Sequence, residues 1–133
     1  MSNFKVEKDF MIGEYRCVIL GLSLGHRCGY VGLPKGHKYE GEDYDNIDVS
    51  VHGGLTYAGD GEKYPVEDER SWIGFDCAHC GDAKDFELVK ELNDEGTYNF
   101  LFGLEQRFDT GGVVRTVEYV ENELVELVKQ LEE

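Results

Sequence analysis

Apolar and polar residues alternate with a period of two between Asn46 and Thr56. Ile47, Val49 and Val51 fall on one side, Asp48, Ser50 and His52 on the other, and Gly53-Gly54 closes the run. This is the signature of a half-buried strand, and it predicts one over 47–57. Residues 15–24, Tyr-Arg-Cys-Val-Ile-Leu-Gly-Leu-Ser-Leu, predict an earlier strand, and 27–33 predict another that stops at Pro34. The short glycine-bounded link between them suits an antiparallel hairpin. A further strand is predicted over about 71–77 (Trp72-Ile73-Gly74-Phe75), with polar loops at 34–46 and roughly 59–70.

Helical spacing takes over after Asp82. Asp82 or Asp85 can cap a helix carrying Phe86, Leu88, Val89 and Leu92, closed by Gly96. Residues 97–108 are apolar without a clear period and fit either a short helix or irregular cover over the core. The clearest helix covers about 113–132, where Val114, Val117, Val120, Leu124, Leu127, Val128 and Leu131 recur at three- and four-residue steps. At ~1.5 Å per residue it is about 30 Å long, enough to span a sheet. Its apolar stripe suits the core, with a homodimer seam through this C-terminal helix as the alternative use. The fold expected is α+β: an antiparallel β-sheet of about four strands, with the long C-terminal helix and one or two shorter helices packed on one face. Residues 1–133 form one globular domain in this reading.

Charge narrows the functional classes. The chain holds 28 Asp and Glu against 13 Lys and Arg, a formal charge of -15. Phosphate backbones and anionic membranes need clustered cations, so no nucleic-acid or membrane partner is expected. The carboxylates serve solubility, or alternatively mimic a nucleic acid to occupy a basic partner. The N-terminal residues show no apolar signal region and no run reaches membrane-spanning length, so a soluble, cytoplasmic protein with reduced cysteines is expected.

The chemistry-bearing residues gather in the strand-and-loop half. Asp48, Ser50 and His52 would share one strand face, with Gly53, Gly54 and Thr56 at its end. An imidazole beside a carboxylate suits acid–base work or ligation, and bare glycine backbone lets a ligand approach. Trp72, Asp76, His79 and Asp82 would extend this surface, and His26 ends the first hairpin. The candidate catalytic residues are therefore His52, Asp48, Asp76 and His79. The same four could ligate a divalent metal, the one cofactor these residues suggest. Cys77-x-x-Cys80 has a zinc-pair spacing but lacks a second pair, so Cys17 and Cys77 read as small buried hydrophobes. Tyr57 and Trp72 could stack on a planar ring such as a nucleobase.

The run Gly25-His26-Arg27-Cys28-Gly29-Tyr30-Val31-Gly32, with Ile47-Asp48-Val49-Ser50-Val51-His52-Gly53-Gly54-Leu55-Thr56 and Trp72-Ile73-Gly74-Phe75-Asp76-Cys77-Ala78-His79, resembles a family of small proteins carried by bacteriophages and prophages. Gly36-His37, Tyr44-Asp45, Gly81-Asp82 and Arg115-Thr116-Val117-Glu118-Tyr119-Val120 fit the same pattern, so the likeness covers most of 25–130. In that family the Cys80 position is often not cysteine, which weakens the zinc-pair reading. The resemblance implies a context, a small viral gene product in a bacterial host's cytoplasm, and carries no activity with it. Three readings follow. One is an accessory protein holding a small polar, nucleotide-type ligand to antagonise host defence signalling. The second is a hydrolase using a metal or a His/Asp pair. The third is an acidic protein that blocks a basic host enzyme.

Overall fold

The computed structural model describes residues 4–60, 63–79, 81–108 and 112–133. Five strands form one antiparallel sheet: β1 (Phe4–Ile12), β2 (Tyr15–Leu22), β3 (Arg27–Gly32), β4 (Tyr57–Gly59) and β5 (Trp72–Asp76), in the spatial order β1-β2-β3-β5-β4. A two-residue parallel ladder joins β6 (Asp82–Ala83) to β7 (Val113–Val114). The helices are α1 (Phe86–Leu92), α2 (Glu95–Phe108) and α3 (Val117–Leu131). The expected α+β class and long C-terminal helix are both present.

The inner strands are covered on both faces, which explains the unbroken apolar run Cys17-Val18-Ile19-Leu20. Cys17, Ile19, Val31, Ile73 and Phe75 meet Val120, Leu124, Leu127, Val128 and Leu131 of α3. Val18, Leu20, Cys28, Tyr30 and Trp72 form the opposite layer beneath Phe4, Tyr57, Tyr64 and Val66. Burying each such aliphatic side chain is worth about 1.5–3 kcal/mol. Val120, Leu124, Leu127, Val128 and Leu131 of the expected stripe lie against the sheet. Thr116 caps α3 by accepting from Tyr119 N, and Asp85 caps α1 by accepting from Glu87 N.

Three elements differ from expectation. The C-terminal helix, expected over about 113–132, begins at Val117, because Val113-Val114 pair with Asp82-Ala83 as β7 and Thr116 caps the helix after them. Strand β1 has no clean alternation because its register to β2 shifts between Val6 and Lys8. That bulge leaves Glu7 free to reach Arg27 at 2.8 Å. Residues 47–56 are not a strand, since only Tyr57–Gly59 pairs with the sheet. The stretch runs instead along α3. Gln130 accepts from Ser50 N and donates to Ser50 O, both at 2.7 Å, while Glu123 accepts from His52 N at 2.7 Å. Helix side chains thus satisfy the peptide groups that a neighbouring strand would have paired. The alternation survives in the packing, because Ile47, Val49 and Val51 still face the core.

Candidate functional site

The site is built on the turn that follows β5. Asp76, the last residue of that strand, accepts from Ala78 N at 3.1 Å through one oxygen and from the Thr56 hydroxyl at 3.1 Å through the other. Thr56 is held to the sheet by its own N–H on Gly74 O. His79 N donates to Asp82 Oδ2, and Asp82 N donates to His79 O, both at 3.0 Å, closing the turn. The sequence Asp-Cys-Ala-His followed by Gly81-Asp82 therefore folds around its own carboxylates, as short acidic side chains do in turns.

Asp82 is the hub. Its side chain is wholly shielded, with relative exposure of 0%. Oδ2 lies 2.9 Å from His52 Nε2, and Oδ1 accepts from Arg115 Nε at 2.8 Å. The ladder between β6 and β7 sets Asp82 level with Val113 and so delivers Arg115 to it. Burial works to raise the Asp82 pKa, but Arg115, His52 and the His79 amide outweigh it and hold the carboxyl at about 2. His52 is occupied on both sides, since its Nδ1 lies 2.7 Å from the Tyr119 hydroxyl. The Arg115 guanidinium stacks on the Tyr119 ring at 4.8 Å. Burial, reinforced by Glu123, pushes the Tyr119 phenol up, with Arg115 opposing.

The outward part of the site is more open. His79 is 36% exposed, its ring rests on Gly53, and its Nε2 lies 3.1 Å from Asp76 Oδ1. That pair has ionic proximity without hydrogen-bond alignment. Nε2 is shielded from solvent and has no hydrogen-bond partner among the described residues. The same holds for His26 Nδ1. His26 contacts the backbone of Cys77 on the same turn, and burial, opposed by that contact, lowers its pKa from the ordinary imidazole value.

The structure brings together His52, Gly53, Thr56, Asp76, His79 and Asp82, with Gly54 exposed beside them and His26 beneath the turn. It does not bring in Asp48, Ser50 or Trp72. Asp48 is exposed, and Ser50 is tied to Gln130 near the far end of α3. Trp72 is fully buried with its indole N–H on Asp68 O at 3.3 Å, and Tyr57 is packed edge-on to Tyr30 and Tyr64. Trp72 therefore offers no free stacking face, while Tyr57 is half-buried. Three participants were missed: Arg115, Tyr119 and Glu123. Tyr119 and Glu123, four residues apart, share one face of α3 near its start, a signal present in the sequence, whereas Arg115 precedes the helix and is brought in by β7.

Among the described residues, no group of three or more His, Cys, Asp and Glu side chains is placed to hold a metal ion. Cys17, Cys28 and Cys77 are buried and free, and burial raises their thiols to about 12, 11 and 12. Such thiols are unreactive at neutral pH. Cys80, the other half of the predicted zinc pair, lies outside the described residues. No described helix is long and apolar enough to cross a membrane. No protein-family description, curated protein or solved structure matches the chain.

Proposed function

We propose that this protein binds a small polar ligand at the Asp76–His79 turn, with Thr56 and the Gly53-Gly54 backbone beside it. The observation that carries this reading is the shielded His79 Nε2, which lacks a hydrogen-bond partner although it sits beside a carboxylate. A buried polar nitrogen left unpaired costs about 1–3 kcal/mol, and a ligand atom would complete it. The reading is one of holding rather than hydrolysis. Asp76 stands between Thr56 and His79, so no imidazole is placed to take a proton from the Thr56 hydroxyl. His52, engaged at both ring nitrogens, acts as a prop. With Trp72 fully buried, recognition rests on hydrogen bonds and charge more than on ring stacking. The likeness to bacteriophage and prophage proteins makes a nucleotide-type signal of host defence the first ligand class to test. Thermal unfolding against a panel of nucleotides, cyclic nucleotides and nucleosides tests this directly. A ligand at 100 times its Kd adds about 2.7 kcal/mol of stability, and His79→Ala removes the effect.

A second reading has its own observation. A cleft of about 450 Å³ is lined by Glu40, Glu42, Asp43, Asp60 and Glu69, with no basic residue on its wall. It supports the acidic interaction protein that occupies a basic enzyme. Reversing Glu40 and Glu42 to Lys abolishes that activity and leaves small-ligand binding intact.

A further inference from the structure

We propose that α2 pairs antiparallel with α2 of a second copy of this chain, forming a homodimer. None of residues 95–107 is buried within one chain. On one side, Tyr98 and Phe102 pack against Phe86 of α1. Another side carries Gly96, Phe100, Gly103 and Arg107, at steps of four, three and four, which align as a single seam. Phe100 on that seam is 64% exposed. The glycines flanking it are recesses. Nothing lies within 4 Å of where a Gly103 side chain would be, and at Gly96 the nearest atom is Asp94 Oδ1 at 3.6 Å.

A projecting ring and a recess of matching kind on one helix face make a self-complementary surface. That is the requirement of a two-fold interface. In the antiparallel register that seats Phe100 over Gly103 of the second copy, symmetry seats the second copy's Phe100 over Gly103. The same register sets Gly96 level with Arg107 of the other helix, so Glu95 and Arg107 approach across the seam with opposite charge. The helix dipoles also oppose favourably. A parallel register would bring Glu95 against Glu95 and ring against ring.

Charge also favours this face over the rest of the surface. A chain of net charge -15 repels its own copies. Residues 96–104, Gly-Thr-Tyr-Asn-Phe-Leu-Phe-Gly-Leu, carry no charge, so two copies meet here without opposing carboxylates. A 14-residue helix is about 21 Å long. A seam of that length buries on the order of a few hundred Å² per copy, below the ~800 Å² of a standard interface. The dimer is therefore concentration-dependent.

Sedimentation velocity across a wide concentration range tests the proposal, with circular dichroism as the check on folding. The mass rises from 15.1 kDa towards twice that value as concentration increases. Phe100→Gly and Gly103→Phe each hold the chain as a folded monomer. The double variant F100G/G103F, which exchanges ring and recess, recovers the dimer. A wild-type chain that stays monomeric throughout, dimerisation indifferent to both single changes, or a double variant that stays monomeric overturns it.

Discussion

The ring of His79 lies on the backbone of Gly53, so close that a Cβ there would come within 2.3 Å of Nε2 and Cδ2. Gly53 also has φ of +68°, where a side chain is strained regardless of space. Gly53→Ala therefore displaces His79 and strains the turn together. The expected loss is more than about 1 kcal/mol in a urea titration, with ligand stabilisation abolished. Gly54→Ala, whose Cβ would meet nothing within 4 Å, carries only the backbone strain of φ +81° and retains binding.

Asp82 makes the fold sensitive to acid. Its carboxyl ionises at about 2 in the folded chain, against about 3.9 when unfolded. A depressed folded pKa gives stability that is complete above about pH 4 and is lost as pH falls towards 2. The shielded group sits close to the surface, so screening keeps this contribution at or below about 2 kcal/mol. Asp82→Asn lowers the urea midpoint at neutral pH and flattens its decline between pH 4 and 2. A wild-type midpoint that is level across that window contradicts the assignment.

Arg27 is the buried cation of the sheet. It pairs with Glu7 at 2.8 Å and Asp85 at 2.9 Å, and donates to Arg115 O at 3.2 Å. Arg27→Met strands two shielded carboxylates and is expected to cost about 3 kcal/mol. Adding Glu7→Gln and Asp85→Asn, which keeps the α1 cap, returns part of that stability. Equilibrium unfolding of the single and triple variants reads the difference.

Much of this was legible in the residues, and the failures share one cause. The hairpin of β2 and β3, the position of β5, the cap of α1 as one of two aspartates, and the α3 stripe from Val117 onward follow from local periodicity and capping chemistry. The 47–56 segment shows what periodicity leaves open. It records which side of a segment faces the core, and Ile47, Val49 and Val51 do face it, but not what the backbone pairs with. Here the partners are Gln130 and Glu123, more than 70 residues away. The site was legible as Asp76, His79, Asp82 and His52 because turn chemistry concentrates there. Arg115 was not, because a two-residue ladder between distant segments brings it in.

His79→Ala and Asp76→Ala are expected to leave the fold standing, because both side chains are part-exposed and neither joins the hydrophobic core. Their melting temperatures stay within a few degrees of wild type, as for about 1 kcal/mol in a domain of this size. Leu124→Ala, by contrast, opens the core and costs about 2–5 kcal/mol. Thermal unfolding followed by circular dichroism separates the two classes.

Native mass spectrometry of the purified protein, run beside the same sample after denaturation and beside His79→Ala, tests the ligand-binding claim most directly. The account predicts a mass excess of a small polar molecule on the wild type, released on denaturation and missing from the folded variant. If none is retained from the expression host, the excess appears when the nucleotide panel is added. A wild-type mass equal to the bare chain with and without the panel, or an excess that His79→Ala keeps, contradicts it.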